Sequence, residues 1–220
     1  MFINPKTNPV DRTALSVAFT VGLYGAAFGA AGVTAGFSIL QTCLLSLLLF
    51  SGASQFAVVG IMGAGGSAIS AIATATLLGF RNALYGIQMA PILKVIGIKR
   101  ILSAQITIDE STAVSTLQEN DPDRRRGFYV TGIGVYVFWN LFTYLGALGA
   151  SAIRDPAAWG LDAAVPAAFC GLVWPRIKKK REVLITAAAI AWALLLTPIA
   201  PAGVPIITTV LLAVIFGWKQ

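Results

Sequence analysis

One arginine lies deep inside an apolar segment, where a charge is energetically costly. Arg81 comes thirteen residues before Lys94 and fourteen after Ser67, so in a helix it lies about 20 Å from either end. A charge at that depth usually points into a bundle interior or a water-filled cavity. The guanidinium group suits a carboxylate, which it binds through two parallel N–H groups. Arg81 is therefore a candidate substrate-binding residue, and the alternative is a structural arginine that bonds backbone carbonyl groups.

Other polar side chains occur close to Arg81 on the same segment. Thr74, Arg81, Tyr85 and Gln88 fall at offsets of 0, 7, 11 and 14, which places them on one face of a helix. Asn82 follows the arginine directly. We therefore add Asn82 and Tyr85 to the candidate substrate-binding residues.

A short polar segment interrupts the second apolar stretch. Ser51–Gln55 reads Ser-Gly-Ala-Ser-Gln and lies between two strongly apolar runs. Non-helical backbone at membrane depth survives only where it is buried or lines a watery cavity. A break here would expose the N–H groups of the following half-helix, whose positive end suits a carboxylate. Ser51, Ser54 and Gln55 are thus candidate substrate-binding residues; the alternative is an unbroken helix whose polar side chains bond to neighbouring helices.

Two adjacent acids occur in a segment of intermediate polarity. Asp109 and Glu110 lie within residues 101–114, which are too apolar for a plain loop and too polar for a clear membrane span. A re-entrant or interfacial hairpin would fit this composition. The two acids could then receive a substrate ammonium group or a coupling proton, and the alternative is that they cap a surface helix.

The chain lacks the residues that most enzymes need. It contains no histidine, and its two cysteines, Cys43 and Cys170, are in apolar segments where they are expected to be small buried hydrophobes. There is no Gly-Lys-Ser/Thr phosphate loop. We therefore expect no catalytic site, no metal ion and no cofactor. Nucleic-acid binding is disfavoured as well, because the net charge of +7 is concentrated at the ends of apolar segments.

Composition predicts that the elements carrying these residues are membrane helices. Hydrophobic residues make up 57% of the chain, charged residues only 11%, and the mean hydropathy is +0.79. A soluble domain carries about 25% charged residues. A spanning helix needs about 20 apolar residues. The sequence predicts one all-α integral membrane domain over residues 1–220, a bundle with broken or re-entrant helices and about seven spans: 14–36, 39–63, 67–92, 127–149, 161–175, 182–197 and 204–218.

Basic residues predict the orientation of these spans. Lys and Arg are enriched in cytoplasmic loops, and they cluster here in Lys94–Arg126 and in Arg176–Arg181. Two spans separate these clusters, so both can lie inside. Two further spans place the C-terminus inside, and three spans before Lys94 place the N-terminus outside.

Five glycines in the first span predict close helix packing. Their spacing of 3-4-3-4 puts them on one helical face. Small residues let membrane helices approach closely, because lipid offers little hydrophobic drive for association. The face is either a fixed seam or a surface on which a neighbouring bundle slides. The residues are Gly22, Gly25, Gly29, Gly32 and Gly36.

Several motifs resemble those of the AzlC family, the large subunits of branched-chain amino acid exporters. The likeness covers nearly the whole chain, and its most specific part is the Gly-Ala-Ser-Gln-Phe element. The motifs are Gly25–Gly32, Phe50–Ala57, Phe80–Tyr85, Asp109–Ser111 and Gly160–Phe169.

The resemblance implies efflux of leucine, isoleucine, valine and sometimes methionine, and a small membrane partner of the AzlD type. It also implies a multi-pass protein of the bacterial cytoplasmic membrane; an oligomer is compatible with it. Two positions depart from the family pattern, which has an asparagine two residues before the arginine, where this chain has Gly79, and often a histidine directly after it. Asn82 occupies that position here, so a histidine proton relay is excluded. The competing functional classes are a passive pore for small solutes and a non-transporting membrane scaffold.

Overall fold

The structure is a computed structural model that describes residues 8–153, 163–174 and 177–217. Within these residues the chain forms ten α-helices and no strand, which confirms the predicted all-α class. The helices are α1 (Pro9–Thr34), α2 (Ile39–Leu48), α3 (Gly52–Gly63), α4 (Ala68–Leu93), α5 (Ile98–Gln105), α6 (Asp109–Thr116), α7 (Asp121–Ser151), α8 (Ala164–Val173), α9 (Lys180–Leu196) and α10 (Val204–Gly217).

Local sequence explains where the helices begin. The Asn8 side chain accepts a hydrogen bond from the N–H of Val10, and Pro9 occupies the first helical position of α1, where its missing N–H costs nothing. The Asn120 side chain caps α7 in the same way. Ser38 and Gln41 form a reciprocal capping box at the start of α2.

Two helices, α1 and α7, are long and apolar enough to cross a membrane by length and composition. Helix α4 has 26 residues and is about 39 Å long, a length that is also sufficient to cross the hydrocarbon core of a bilayer. Large aliphatic side chains cover the outside of the bundle; Leu48, Ile69 and Ile87 are each more than 70% exposed. An outer surface of this kind is suited to lipid.

Helices α1 and α7 pack in parallel along a seam of small residues. Ala18 lies opposite Gly134, and further along both helices a Cβ atom on Gly25 or Gly29 would overlap a backbone carbonyl oxygen of α7. From the other side, a Cβ atom on Gly146 would overlap the carbonyl oxygen of Ala26. The two backbones are therefore in direct contact, which only glycine at these positions allows.

The remaining glycines of the predicted face behave differently from one another. A Cβ atom on Gly22 would overlap the Phe138 side chain of α7, and one on Gly32 would lie 2.6 Å from the Thr42 side chain of α2. Gly36 does not belong to the packing face, contrary to the prediction. It lies beyond the end of α1 with a φ of +92°, and an added Cβ would meet no atom within 4 Å. Glycine at this position allows the left-handed backbone conformation of the turn into α2.

Helices α2 and α3 form a re-entrant hairpin, here called the first hairpin, with residues 49–51 as its tip. Thr42, near its start, lies against Gly32. At its end, a Cβ atom added to Gly63 would lie 2.8 Å from the Ala35 Cβ. Both arms therefore meet the C-terminal end of α1. The tip reaches only to Trp139, in the middle of α7. Residues 39–63 were predicted as one span, and in the structure they do not form one continuous helix. The chain breaks at residues 49–51, at the start of the predicted segment Ser51–Gln55, whose other residues belong to α3.

Helices α5 and α6 form a second hairpin, with Ile106–Ile108 as its tip. The tip packs on Gly132 of α7, whereas Val114 near the hairpin's end packs on Gly127. The N-terminal part of α7 also binds the end of α4, because Arg125 Nε donates to the carbonyl oxygen of Ile92 at 2.7 Å. The second hairpin thus enters and leaves on the same side, as the sequence predicted for this segment.

The chain contains two units with the same order of elements, a long helix followed by a hairpin, and the two units run in opposite directions. Helices α1 and α4 both have 26 residues, and in each unit the hairpin begins five residues later and turns through a three-residue tip. The connecting turns each contain a glycine with positive φ, Gly36 and Gly97. This arrangement is an inverted repeat, which is frequent in secondary transporters.

The inverted repeat corrects the predicted orientation of the N-terminus. Arg126 Nε and an Nη atom both donate to the Asp11 carboxylate at 2.6 Å, so α1 and α7 begin on the same side of the bundle. We call this the basic side. The prediction placed the N-terminus and the Lys94–Arg126 segment on opposite sides. It fails because the first hairpin was counted as a crossing.

The last helices complete the bundle beside α4. Helices α9 and α10 are antiparallel: an Arg181 Nη atom donates to the carbonyl oxygen of Phe216, and Trp192 Nε1 donates to Thr208 Oγ1 at 3.1 Å. Their connection lies against the start of α4, since an added Cβ on Gly203 would be 2.9 Å from the Ser70 Cβ. Helix α10 therefore begins on the side of the bundle opposite the basic side. The first three residues of the predicted motif Gly160–Phe169, residues 160–162, lie outside the described residues.

Candidate functional site

The tips of both hairpins border one cavity of about 160 Å³ in the middle of the bundle. Helices α1, α4 and α7 form its walls, and Gly171 of α8 closes part of it. Most of its lining is apolar, and its polar side chains gather where the two hairpin tips approach α4. The cavity is lined by Val21, Tyr24, Phe50, Ser51, Gly52, Ala53, Phe56, Arg81, Ile108, Asp109, Glu110, Val135, Trp139 and Gly171.

Arg81 reaches this cavity from α4 and pairs with Asp109 of the second hairpin. An Nη atom of Arg81 donates to Asp109 Oδ2 at 3.2 Å, and each side chain is 27% exposed. The Arg81 Nε atom is buried and has no hydrogen-bond partner among the described residues. The arginine is thus oriented by one carboxylate and retains a buried donor, which is the condition for binding a second acceptor.

The first hairpin presents the start of a helix to the same cavity. Gly52 and Ala53, the first residues of α3, line it, and no side chain caps this helix start. The N–H groups of the first turn have no intrahelical acceptor and carry the positive end of the helix dipole. The start of α3 can therefore bind an anionic group without any further side chain.

The two predicted serines have different surroundings. Ser51 lines the cavity, and its hydroxyl lies 3.1 Å from that of Ser54. Ser54 Oγ in turn donates to the carbonyl oxygen of Ala75 at 2.9 Å, which joins the first hairpin to α4. Ser51 is placed to contact a ligand, whereas Ser54 is placed to hold the hairpin.

Gln55 supports the tip from behind and does not line the cavity. It is completely buried, and its amide nitrogen donates to the carbonyl oxygens of Ser46 and Leu49 at 3.2 and 2.6 Å. Its amide oxygen accepts from Trp139 Nε1 at 2.9 Å. The side chain satisfies the carbonyl groups that the break in the helix leaves open. The substrate contact of Gln55 stays a prediction; in this structure the side chain bonds the first hairpin and Trp139.

The second tip brings both predicted acids to the cavity. Asp109 and Glu110 form the first turn of α6, where the helix dipole favours negative charge. The Ser111 hydroxyl fixes the tip: it accepts from the N–H of Ile108 at 3.1 Å and donates to the carbonyl oxygen of Ile106 at 2.8 Å. The acids do occupy a helix start, as in the alternative interpretation, but this start faces the cavity.

Two other predicted residues lie away from the cavity. Neither Asn82 nor Tyr85 is part of its lining, although both are on α4 within about one turn of Arg81. The Asn82 Oδ1 atom is buried without a hydrogen-bond partner among the described residues. The structure therefore separates them from the group formed by Arg81, Asp109 and Glu110.

Trp139 is a cavity residue that the sequence did not indicate. Its indole lines the cavity, stacks near Phe28 with ring centroids 6.3 Å apart, and holds Gln55. Val21, Tyr24, Phe50 and Phe56 add further apolar lining. An aromatic residue in an apolar helix has no feature that distinguishes a binding site from a lipid contact.

Comparison with known proteins adds the family. The profile described as "AzlC protein" matches residues 16–153. An uncharacterized membrane protein of Archaeoglobus fulgidus is 31% identical over 199 residues, which cover 89% of this chain and 84% of that protein. The chain belongs to the AzlC family. This confirms the resemblance predicted from its motifs.

Two further relatives agree with a membrane location. The AzlC chain is 27% identical over 194 residues to the inner membrane protein YgaZ of Escherichia coli, covering 83% of this chain and 75% of YgaZ. It is 28% identical over 155 residues to an uncharacterized membrane protein of Haemophilus influenzae, covering 66% and 64%. No solved structure matches. The chain is a membrane protein of a transport-associated family.

The family match falls on one part of the fold. Residues 16–153 include both inverted units, apart from the start of α1, and α7, and every described cavity residue of this AzlC chain except Gly171 lies within them. Helices α8–α10 follow the matched region. The part of this chain that matches the family thus contains both hairpins and nearly all of the described cavity lining.

Proposed function

We propose that this chain is the large subunit of a secondary active exporter in the cytoplasmic membrane. Its substrates would be leucine, isoleucine, valine and methionine, and its partner a small AzlD-type membrane subunit. The observation that carries the proposal is the mid-bundle cavity, which combines an apolar lining with Arg81, Asp109, Glu110 and the start of α3. An amino acid with an aliphatic side chain offers the complementary groups.

The size of the cavity supports a ligand of this kind. An apolar cavity of about 150 Å³ accommodates benzene, and this one is about 160 Å³. An aliphatic amino acid side chain is of comparable size. Because one methylene group changes binding by only about 1–3 kcal/mol, selection among leucine, isoleucine, valine and methionine is expected to be broad.

The charged residues support binding by exchange of partners. A substrate carboxylate would take its hydrogen bonds from Arg81 and from the N–H groups of Gly52 and Ala53. Asp109 would then turn from Arg81 to the substrate ammonium group. Glu110, beside it, is available to bind or release a coupling proton. Charge in the cavity stays balanced in both states, which limits the cost of burying it.

The inverted repeat supports alternating access. Each unit places a hairpin tip at the cavity, one from each side of the bundle. Movement of one unit relative to the other would open the cavity to one side and close it to the other. The basic side of the bundle, with Arg126 and Lys94, would face the cytoplasm. Both termini would then be cytoplasmic.

Efflux from preloaded cells tests the proposal. Cells loaded with leucine, isoleucine, valine or methionine are followed with this chain alone, with its small partner, and with the proton gradient collapsed. We expect export that requires the partner and the gradient. Export of none of the four, with both subunits present in the membrane, would contradict the proposal.

The same experiment separates the two competing classes. A passive pore would move these solutes only down their gradient, and its flux would not change when the proton gradient collapses. A membrane scaffold would give no flux with or without the partner. Neither class gives a functional role to the ion pair between Arg81 and Asp109 in the cavity.

A further inference from the structure

A groove on the outside of the bundle lies between α5 and α7. Its volume is about 670 Å³, and it is separate from the cavity between the hairpin tips. Leu102, Ile106, Ile133 and Tyr136 form its walls. Leu102 and Ile133 are 62% and 53% exposed, so the groove opens to the surroundings of the bundle. In a membrane these surroundings are lipid.

Two cations lie at one end of this groove. Lys99 precedes the apolar part of α5, and Arg125 lies in the second turn of α7, on the basic side. The neighbouring arginines are paired, Arg124 with Asp121 at 3.7 Å and Arg126 with Asp11. Among the described residues, Lys99 and Arg125 have no carboxylate within 4.0 Å.

The orientation of Arg125 is fixed by the protein. Its Nε donates to the carbonyl oxygen of Ile92 at 2.7 Å, a bond to the end of α4. Among the described residues that line the groove, none is acidic. Lys99 and Arg125 thus form a positively charged group at the mouth of an apolar groove that has no acidic residue in its described lining. Basic pockets between membrane helices on the cytoplasmic side are typical sites for anionic lipid headgroups.

The length of the groove matches one leaflet of a bilayer. From Arg125 to Tyr136 along α7 is about 16 Å. The hydrocarbon core of a bilayer is about 30 Å thick, so one leaflet occupies about half of that. A lipid with its phosphate at Lys99 and Arg125 would extend an acyl chain along Leu102 and Ile133 to the level of Tyr136.

We infer that this groove is a binding site for an anionic phospholipid of the leaflet on the basic side. The phosphate and the negative headgroup lie between Lys99 and Arg125, and one acyl chain fills the space beside Leu102. The lipid supports α5, which otherwise contacts α7 through the 2.9 Å hydrogen bond between the Ser103 and Tyr129 hydroxyls. The site does not depend on which substrate the cavity carries.

Lipid titration of the purified protein tests the site. The detergent-solubilised chain is titrated with phosphatidylglycerol and, separately, with phosphatidylcholine, and bound lipid is counted by native mass spectrometry. We expect tighter binding of phosphatidylglycerol. Lys99→Gln should weaken it by about fivefold, the effect of one basic residue near an anionic surface. Lys178→Gln is the matched control, because it removes the same charge from the start of α9 and should change nothing.

A second variant tests the apolar part of the groove. Leu102→Trp fills the groove without altering any charge, and it should remove the bound lipid while the protein elutes as the wild type does. Equal binding of both lipids, or equal effects of Lys99→Gln and Lys178→Gln, would overturn the inference. It would also be overturned if the small subunit protected Leu102→Cys from a thiol reagent in lipid-free detergent, because a protein would then occupy the groove.

Discussion

Arg81 has two kinds of neighbour, a carboxylate that it already binds and a cavity that offers room for another. Its bond to Asp109 explains how a charge is maintained at this depth, since a charge without a partner would be costly there. The buried Nε atom shows that this bond does not use all of its donors. At the scale of single residues, the proposed substrate binding would therefore depend on an ion pair that can open.

Arg81→Gln should reduce efflux of branched-chain amino acids by about tenfold or more. A hydrogen bond to a charged group contributes about 1.5–3 kcal/mol, and the glutamine cannot provide the charge. Efflux is measured at matched amounts of protein in the membrane. Tyr85→Phe is the control, because Tyr85 lies on the same helix outside the cavity lining, and it should retain wild-type efflux. Full efflux by Arg81→Gln would exclude the proposed carboxylate contact.

Gln55→Leu should lower stability more than it changes substrate affinity. The variant leaves Trp139 Nε1 and the carbonyl group of Leu49 without their partner, and each unsatisfied buried group costs about 1–3 kcal/mol. The unfolding temperature in detergent is the measurement. Ser51→Ala provides the contrast, since Ser51 faces the cavity and its loss should affect transport with little change in stability. A stable Gln55→Leu protein with weakened substrate binding would show instead that Gln55 contacts the substrate.

At the scale of helices, the parallel pair α1 and α7 is the axis on which the hairpins are mounted. Backbone contact along this seam fixes the height at which Trp139 meets the first tip and Gly132 meets the second. The two hairpins are also joined to each other next to their tips, because Gln105 Nε2 at the end of α5 donates to the carbonyl oxygen of Leu47 in α2 at 2.9 Å. A change in the spacing of α1 and α7 would therefore reach the cavity from both sides.

Gly146→Leu should prevent correct assembly of the bundle. Any side chain at this position would overlap the backbone of α1 at Ala26, and backbone cannot move aside as a flexible side chain can. Gly149→Leu is the matched control one turn further along α7, where an added Cβ meets no atom within 4 Å. The yield of monodisperse protein in detergent distinguishes them. Equal yields would show that the seam does not limit folding.

Sequence patterns located the charged and polar parts of the site but not the directions of the helices. Arg81, Ser51 and the acids at 109 and 110 stood out because polar groups are rare and costly within apolar segments. Residues 39–63 have the length of a crossing, and hydropathy records length without direction, so the hairpin was missed. The hydrogen-bond partners of Gln55 could not be read from the sequence for a related reason: a buried amide can satisfy a broken backbone as well as a ligand.

At the scale of the whole molecule, the inverted repeat gathers the basic residues on one side. The Asp11–Arg126 pair and the end of α4 lie there, and the start of α4 and the connection before α10 lie opposite. In the orientation we propose, the positive-inside rule would place this side in the cytoplasm. The orientation predicted from seven crossings would have divided these residues between two compartments.

Labelling of single cysteines should place Asn8 and Lys99 on the same side of the membrane. In a background with Cys43 and Cys170 replaced by serine, Asn8→Cys and Lys99→Cys should both resist a membrane-impermeant thiol reagent in intact cells. Gly65→Cys, between the first hairpin and α4, should react. Reaction of Asn8→Cys but not Lys99→Cys would restore the three-crossing topology and contradict the inverted repeat.

The parallel seam also has a consequence for biosynthesis. Helix α1 emerges from the ribosome first, yet its partner α7 is complete only at Ser151, more than a hundred residues later. At 5–20 residues per second this is a delay of roughly ten seconds. During that time Gly22, Gly25 and Gly29, the glycines of α1 that contact α7, have no α7 beside them, and the polar arms of the second hairpin have no α7 to cover them. The bundle of this protein can therefore close only after α7 has been inserted.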